Sequence, residues 1–287
     1  MSLAWLRTAG TNIGYIFKHP IGKRRPFSTV ARTVAWQIRL RSRAGMQVAP
    51  WVGGSQLLVR RGLTGVTGNL YYGLLEFVGM SFVALFLRDD ELFADVGANA
   101  GSYTVLASRV AGARTVAFEP GDDAAAVLDD IVRLNGIQGK VTVRREAVGD
   151  RIGEARFTKG LGTMNRVALE GETAVRMTTL DAVFIDDCPA AIKIDIEGGE
   201  EACVAGARRV LADPNLQVLL IETVSDEAER TLAEAGLTEV QFDPWKRELH
   251  DGLPRHPINN RIFVRDRAYV AERLKSAPPL VVAGLTL

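Results

Sequence analysis

Short apolar runs and stretches of helical periodicity alternate along the chain from residue 92 onward. The runs with the length of buried strands are Leu92–Val96, Thr115–Glu119, Val141–Arg145, Ala191–Ile196 and Val218–Glu222, followed by two shorter last strands, Val240–Phe242 and Ile262–Val264. Apolar residues at helical spacing occur at Ser102–Val110, Asp122–Leu134, Gly199–Leu211 and Asp226–Ala235. Strands that alternate with helices predict an α/β fold with a doubly wound, mostly parallel sheet. Residues 154–177 alternate with a period of two, which predicts an antiparallel excursion from that sheet.

The chain before residue 62 follows a different pattern. Residues 1–27 are basic and interrupted by glycines and prolines, which predicts an arm with little fixed structure. A basic helix is predicted over Ser28–Arg43, and a hairpin over Val48–Val59. We therefore divide the chain into an N-terminal arm, helix and hairpin (1–61) and a main domain (62–287). The main domain begins with a predicted helix over Leu70–Leu87 that is capped by Asn69.

The first predicted strand of the sheet runs into a turn of small residues. Asp95 lies at the strand's carboxyl end, residues 97–101 read Gly-Ala-Asn-Ala-Gly, and Ser102 is a candidate N-cap for the next helix. Such a unit brings backbone N–H groups and the positive end of a helix up to a ligand. The spacing is Asp-x-Gly-x-x-x-Gly, not the Gly-x-Gly-x-x-Gly of dinucleotide-binding folds. Glu119, which ends the next strand, is the predicted acceptor for ribose hydroxyls.

An acidic strand end, a glycine-rich turn and a second acidic strand end are typical of S-adenosylmethionine (SAM) sites. With further blocks in the right order, they resemble the FkbM family of SAM-dependent methyltransferases. The blocks that carry the resemblance are Asp95–Thr104, Phe118–Pro120, Asn135 and Ile192–Gly198, with Gly68–Phe77, Thr163–Val167, Phe242–Arg247 and Asn260–Asp266 shared by members from glycan pathways. The resemblance spans roughly residues 62–266. It implies the seven-stranded, Rossmann-like (class I) methyltransferase sheet, whose last strand is antiparallel.

The resemblance implies SAM as the cofactor, and the strand ends indicate where its parts bind. N–H groups from Gly97 to Gly101 serve the methionine carboxylate, with Asp95 close to the cationic amine or sulfonium. Glu119 accepts both ribose hydroxyls, and the residues after the third strand lie where the family's fold places adenine. The predicted cofactor-binding residues are Asp95, Gly97, Asn99, Gly101, Ser102, Glu119, Pro120, Glu146 and Ala147.

Methyl transfer to a hydroxyl needs an aligned nucleophile and a base or metal that lowers the hydroxyl's pKa. Asp195 ends the buried fourth strand and is the predicted base or orienting group, and strand alternation places Lys193 on the same side. Asn165, in the excursion, is predicted to bind substrate or take part in catalysis. Glu222 could complete a Mg²⁺ site with Asp195, but Thr223 stands where metal-dependent enzymes of related fold carry a further acid or amide. We therefore predict no metal ligand.

Charge bears on the partners of the protein. The net charge of +1 hides an asymmetry, because residues 1–61 hold 11 Lys and Arg and no acid, whereas the remainder holds 24 basic and 34 acidic residues. A basic arm on an acidic body predicts an anionic partner, such as a membrane surface or a phosphorylated carrier, or pairing with the chain's own acidic domain. Nucleic acid is not a predicted partner, since no RNA- or DNA-binding motif is present.

Two further features bear on location. Cys188 and Cys203 show no disulfide or metal spacing, which suits a reducing cytosol. The first residues lack the apolar core and cleavage site of a secretory signal, and the longest apolar stretch, Phe77–Leu87, is about half of the length that spans a bilayer. A cytoplasmic protein is expected, with the basic arm as a candidate for contact with the inner face of the membrane.

The sequence therefore predicts a SAM-dependent O-methyltransferase that acts on a hydroxyl of a sugar or glycan precursor. The acceptor class rests on the resemblance alone, because a fold does not specify a substrate, and a polyketide or other small natural product is the alternative acceptor. Two alternatives from other classes stay open. An NAD-dependent oxidoreductase would share the turn and Glu119, but the Gly-x-Gly and a hydride-transfer site are missing. A non-catalytic glycan- or membrane-associated module fits the basic arm, but the intact Asp95, Glu119 and Asp195 argue against it.

Overall fold

The computed structural model describes residues 14–63, 65–158, 166–167, 171–251 and 260–287. Its strands are β1 (Gln47–Pro50), β2 (Gln56–Val59), β3 (Leu92–Val96), β4 (Arg114–Phe118), β5 (Val141–Arg144), β6 (Ala147–Val148), β7 (Gly153–Phe157), β8 (Thr173–Thr178), β9 (Ala191–Ile194), β10 (Val218–Ile221), β11 (Thr238–Asp243), β12 (Glu248–His250), β13 (Arg261–Val264), β14 (Val281–Val282) and β15 (Leu285–Thr286). Its helices are α1 (Pro20–Arg24), α2 (Pro26–Ser42), α3 (Thr67–Tyr72), α4 (Phe77–Phe86), α5 (Ser102–Val105, continued by a π-helical turn over Leu106–Val110), α6 (Asp122–Leu134), α7 (Leu180–Val183), α8 (Glu200–Ala205), α9 (Arg208–Ala212), α10 (Asp226–Glu234) and α11 (Arg267–Ser276).

The described part of the chain is built on an eight-stranded sheet with the order β12-β11-β13-β10-β9-β3-β4-β5. The strands from β10 to β5 in that order are parallel, and β13 is antiparallel to both of its neighbours. The chain moves outward from β3 to β5 and then returns to β9, so the strand order reverses between β3 and β9. The predicted doubly wound, mostly parallel sheet with an antiparallel last strand is confirmed. The eighth strand, β12, was not predicted, because it is three residues long with Leu249 as its one apolar residue.

The two faces of the central sheet are covered by separate apolar clusters. Ile192 and Ile194 of β9 pack with the cluster that includes helices α8 to α10. Phe93 of β3 packs on the other side, with the cluster that includes α4. Strands covered on both faces read as continuous apolar runs, which is why the sequence revealed them. Lys193 interrupts the run in β9 and is nevertheless buried, so its charge must be balanced nearby.

Two predicted helices are each divided by a glycine. The helix predicted over Leu70–Leu87 is α3 and α4, and Gly73 lies between them with a φ of +84°. Asn69 is not its cap: the Asn69 side chain accepts a hydrogen bond from the Leu75 backbone N–H at 2.8 Å and thereby holds the turn that follows α3. The helix predicted over Gly199–Leu211 is α8 and α9. At Gly206 a Cβ would lie 2.0 Å from the carbonyl oxygen of Gly149, a close approach that the sequence pattern does not reveal.

The N-terminal region is more ordered than predicted. Residues 1–13 lie outside the described residues, but residues 14–27 include α1, and His19 is buried against Tyr72 with the ring centroids 4.3 Å apart. The expectation of an arm with little fixed structure is therefore wrong for residues 14–27. The basic helix is confirmed as α2, and the hairpin as β1 and β2. Leu57 and Val59 of the hairpin share an apolar cluster with Val105 and Ala117 of the main sheet region. The division of the chain at residue 61 stays a prediction.

The predicted excursion lies beside the main sheet. Strands β7 and β8 pair antiparallel from Gly153 and Met177 to Phe157 and Thr173, and β6 adds to β8 as a third, parallel strand. The antiparallel pairing is therefore confirmed. Within the described ranges, no helix has both the length and the apolar character to cross a membrane.

Candidate active site

The turn after β3 has its shape because two of its residues are glycines. Gly97 has a φ of +77°, and a Cβ there would lie 1.9 Å from the backbone oxygen of Asp195. Gly101 has a φ of +81°, and a Cβ there would lie 2.4 Å from Cδ1 of Leu128. L-residues rarely adopt such a φ, and neither position has room for a side chain. The Asp-x-Gly-x-x-x-Gly spacing thus lets the turn approach both β9 and α6 closely.

The N-terminus of α5 differs from the prediction in one detail. Gly101, not Ser102, occupies the N-cap position, and no side chain caps the helix there. Ser102 is the first helical residue, and its Oγ accepts a hydrogen bond from Nδ2 of Asn69 at 3.0 Å. The predicted N-cap role of Ser102 is therefore wrong, and its hydroxyl instead ties α3 to the turn.

A cavity of about 1000 Å³ lies at the carboxyl ends of β3, β4, β9 and β10. Of the predicted cofactor-binding residues, its lining includes Gly97, Asn99, Ser102, Glu119, Pro120, Glu146 and Ala147. The predicted catalytic residues Lys193 and Asp195 also line it. Asp95 and Gly101 do not line it. The structure thus gathers most of the predicted site in one place, where open α/β sheets bind their ligands.

Glu119 is held rigidly at the end of β4. Its side chain is buried, its Oε2 accepts the N–H of Asn99 at 2.9 Å, and its Oε1 accepts the N–H of Gly121 at 2.8 Å. Burial raises the pKa of the Glu119 carboxyl, and the two backbone N–H groups oppose that shift. A carboxylate fixed in this way at the second strand end suits the recognition of a ribose diol.

Asp95 lies behind the cavity lining and not in it. It is fully buried, and its Oδ2 accepts a hydrogen bond from the hydroxyl of Thr104 at 2.6 Å. Its Oδ1 has no hydrogen-bond partner among the described residues. Burial raises the pKa of Asp95, and Lys193, its cross-strand neighbour, is the strongest opposing influence. The role of Asp95 at the methionine ammonium stays a prediction.

Lys193 balances several carboxylates from inside the sheet. Its Nζ lies 3.1 Å from Oδ2 of Asp195 and donates to the carbonyl oxygen of Gly97 at 3.2 Å. Burial alone would lower the pKa of Lys193, but Asp195, Asp95 and Glu76 outweigh it and raise that pKa above the ordinary value. The ammonium therefore stays charged, and the predicted placement of Lys193 and Asp195 on one side of β9 is confirmed.

Asp195 and Glu222 face each other across neighbouring strand ends. Burial would raise the pKa of Asp195, but Lys193 and a hydrogen bond with Glu222 hold that pKa below its ordinary value. Glu222 has the opposite shift: partial desolvation and then the charge of Asp195 raise its pKa to about 7. Near neutral pH, Asp195 therefore stays ionised, and Glu222 is the carboxyl group of the two that takes up a proton more readily.

Glu197 joins this pair from the turn after β9, where its φ is +56°. One carboxylate oxygen from each of Asp195, Glu197 and Glu222 lies within 4.8 Å of the others. Three oxygens at this spacing could hold a hard divalent cation. However, the ammonium of Lys193 already contacts Asp195 and supplies positive charge to the cluster. That the protein has no metal ligand here stays a prediction.

Glu76 is a site residue that the sequence did not reveal. Its Oε2 accepts hydrogen bonds from the Tyr103 hydroxyl at 2.9 Å and from Nδ2 of Asn260 at 3.0 Å, and all three residues line the cavity. Burial raises the pKa of Glu76. The predicted helix over Leu70–Leu87 placed Glu76 inside a helix, whereas it lies in the turn between α3 and α4. The one feature of the sequence that pointed to Glu76 was its position in Gly68–Phe77, a block that resembles members of the FkbM family.

The residue predicted beside adenine and residues of the excursion also line the cavity. Glu146 lines it, and its Oε2 accepts a hydrogen bond from Nε of Arg144 at 2.6 Å. Asn165 lies outside the described residues. Of the described residues of the excursion, Thr158 and Val167 are among those that line the cavity.

The residues present fit SAM on the cavity's own features. The glycine turn forms a cradle that a Cβ would fill, and the buried Glu119 is fixed at the next strand end. The acidic end of the cavity, at Asp195 and Glu222, suits a cationic sulfonium. The turn and Glu119 match the parts of the cofactor that the sequence assigned to them, whereas the sequence assigned the cationic amine or sulfonium to Asp95, which does not line the cavity.

One protein-family model matches the chain. The model of the methyltransferase FkbM domain matches residues 95–252, more than half of the 287-residue chain. A search of curated proteins finds no match.

Solved structures of methyltransferases are among those similar to the chain. The precorrin-6y C5,15-methyltransferase from Geobacter metallireducens GS-15 shares 15% identity and a TM-score of 0.38, over 65% of this chain and 84% of that one. An rRNA methylase from Streptococcus thermophilus shares 13% identity and a TM-score of 0.37, over 64% of this chain and 91% of that one. Likenesses this distant carry no information on the acceptor.

The family match and the geometry agree on where the site lies. The matched residues 95–252 include the glycine turn, Glu119 and the strands that end in Asp195 and Glu222. The chain therefore belongs to the FkbM family of S-adenosylmethionine-dependent methyltransferases.

Proposed function

We propose that the protein methylates a hydroxyl group of a sugar or glycan precursor. The observation that carries the proposal is the carboxyl pair of Asp195 and Glu222 beside the cofactor end of the cavity. A hydroxyl is a weak nucleophile until a base takes its proton, so O-methylation needs such a group more than methylation of a neutral amine does.

Glu222 is the better base of the two. Its pKa of about 7 lets it be ionised at neutral pH and still bind a proton. Asp195 is held ionised by Lys193 and so is the weaker proton acceptor, which favours the orienting group over the base among the two roles that the sequence left open for Asp195. The glycine turn and Glu119 would hold SAM, which would supply an electrophilic methyl group; the bond between its sulfur and that methyl group would break and give S-adenosylhomocysteine. As the acceptor O–H bond breaks, its proton passes to a Glu222 oxygen, and the acceptor oxygen forms its new bond to the methyl carbon.

The acceptor end of the cavity is polar and mostly acidic. Glu76 and Asn260 offer a carboxylate and an amide side by side, a pairing suited to a diol. Lys193 is surrounded by three carboxylates, so an acceptor with a phosphate next to the reacting hydroxyl would meet repulsion. These features support a neutral polyol, such as a sugar ring, over a flat apolar natural product.

Transfer of a labelled methyl group from SAM tests the acceptor class. Acceptors would be free sugars, glycosides and nucleotide sugars, with polyketide alcohols as the alternative class. We expect transfer to a sugar hydroxyl, lowered about 100-fold or more in Glu222→Gln and unchanged in Glu201→Gln, an exposed acid of α8. Transfer to polyketide alcohols alone would refute the sugar acceptor, and transfer to nitrogen or carbon, or full activity in Glu222→Gln, would refute O-methylation by this pair.

A further inference from the structure

Helix α2 turns an apolar stripe toward solvent. Phe27 is 89% exposed, Val34 50% and Ile38 63%. Ala31 and Ala35 are exposed as well. The spacing of these five residues places them along one side of the helix. The stripe they form is therefore continuous over about three turns of the helix.

The opposite side of α2 packs on the rest of the chain through polar and apolar residues, and Trp36 and Leu40 contact an apolar cluster there. Its buried residues are Thr29, Thr33 and Leu40. The hydroxyl of Thr33 donates to the backbone oxygen of Thr29 at 2.8 Å. Arg32, also on the inner side, donates through Nε to the Tyr71 backbone oxygen at 2.8 Å. A surface helix of a globular protein normally has one apolar side, which faces the core, whereas α2 has a second apolar side that faces solvent. Folding of this chain therefore does not account for the apolar residues of the stripe.

Exposed cations flank the stripe at both ends. Lys23 precedes the helix and Arg25 is its N-cap residue, while Arg41 lies in its last turn and Arg43 is its C-cap residue. The first acidic residue of the whole chain is Glu76. The surface around the stripe therefore combines exposed apolar area with positive charge supplied by α2 and its flanks.

We propose that α2 lies in the interface of an anionic lipid bilayer, with the stripe inserted and the flanking cations at the headgroups. Apolar side chains on one side and basic residues beside them are what holds a helix in that plane. A second copy of the chain fits less well. In a two-fold pairing along the stripe, the cations at the helix ends would face one another and repel.

The position of α2 links this surface to the cavity. Helix α2 packs on α3, where Arg32 donates to the backbone oxygen of Tyr71. Leu75, four residues after Tyr71 in the sequence, lines the cavity. Binding of the stripe to a bilayer would bring this wall of the cavity near the lipid surface. The inference does not depend on which acceptor is methylated.

Flotation of the full chain with vesicles tests the stripe. We expect binding to phosphatidylcholine vesicles that contain phosphatidylglycerol, weak binding to phosphatidylcholine alone, and loss of binding as salt is raised. The double variant Phe27→Ser/Ile38→Ser should lower the partition coefficient roughly tenfold or more. Ile152→Ser/Ile185→Ser is the matched control, because these residues are 73% and 67% exposed in other elements, and it should bind as wild type does.

The flanking charges are tested separately. Arg25→Gln/Arg43→Gln should weaken binding to the anionic vesicles roughly tenfold, whereas Arg151→Gln/Arg230→Gln removes the same charge elsewhere and should not. Unchanged binding of S-adenosylhomocysteine would show that each variant is folded. The inference is overturned if neither vesicle binds, or if the stripe variant binds as wild type does. It is equally overturned if the wild type is a dimer that the stripe variant converts to a monomer, since a second copy would then cover the stripe.

Discussion

The carboxyl groups of Asp195 and Glu222 lie at adjacent strand ends, and their pKa values are shifted in opposite directions. Asp195 contacts the buried ammonium of Lys193, which holds the pKa of Asp195 low. Glu222 has no such cation among the described residues, and desolvation and Asp195 raise its pKa to about 7. Pairs of groups whose surroundings separate their pKa values are typical of acid–base sites. Glu222 therefore has the chemistry of a proton acceptor, and Asp195 that of a fixed charge.

The pH dependence of turnover reports on Glu222. Because Glu222 must be ionised to take a proton, kcat/KM should rise with pH through about 7 and level off above it. Asp195, Glu197 and Glu200 are the charges that raise this pKa, with Asp195 the largest. Asp195→Asn should therefore move the rising limb to lower pH, while Glu201→Gln leaves it in place. If the rising limb of the pH profile stays in place in Asp195→Asn, the interaction of Asp195 with Glu222 would be contradicted.

Gly97 is required by contact as well as by backbone conformation. Gly97→Ala places a Cβ 1.9 Å from the Asp195 backbone oxygen and should lower the free energy of unfolding by about 3 kcal/mol or more. Gly54→Ala is the control, because Gly54 has a similar φ of +73° with nothing within 4 Å of a Cβ, and it should cost about 1 kcal/mol. Urea unfolding measures both. Equal losses would mean that the close approach of the turn to β9 is wrong.

At the scale of elements, the site is assembled from strand ends and from one turn. Strands β3, β4, β9 and β10 deliver Gly97, Glu119, Asp195 and Glu222 to one edge because parallel strands end together. Glu76 arrives differently, on the turn between α3 and α4, which Asn69 holds through the N–H of Leu75. The rigidity of that turn determines where the carboxylate of Glu76 lies.

Asn69→Ala tests the turn. Asn69 is buried, and its loss leaves the Leu75 N–H and the Ser102 hydroxyl without this partner, which should lower the free energy of unfolding by about 1–3 kcal/mol. Displacement of Glu76 should also raise the acceptor KM. The exposed Asn215→Ala should change stability by less than about 0.5 kcal/mol. A normal stability and KM in Asn69→Ala would show that the turn does not depend on this side chain.

At the scale of the whole molecule, the sequence predicted the elements that have a regular apolar pattern. It did not predict contacts between segments that are far apart in the sequence. The strands of the parallel sheet could be found because both faces are covered, so residues such as Ile192 and Ile194 stand in apolar runs. The strand ends then located Glu119 and Asp195. Glu76 and Asn260 meet across 184 positions of sequence, and no periodicity reports such a contact.

The N-terminal region shows a second limit of prediction from the sequence. Glycines and prolines predicted an arm, but tertiary packing orders residues 14–27, where Ile21 joins the core and His19 stacks on Tyr72. Its positive charge and apolar periodicity were readable in the sequence. The outward direction of Phe27 and Ile38 was not, because it follows from what the other side of α2 packs against.

Calorimetric titration with S-adenosylhomocysteine and, separately, NAD determines which of the two cofactor classes the cavity binds. The wild type should bind S-adenosylhomocysteine in the micromolar range and should not bind NAD. Glu119→Gln keeps the shape of the side chain but removes its charge, and it should weaken binding roughly tenfold or more. Glu201→Gln should bind as wild type does. A folded wild-type protein that binds NAD, or that does not bind S-adenosylhomocysteine, would contradict the assignment of the turn, of Glu119 and of the chemistry built on them.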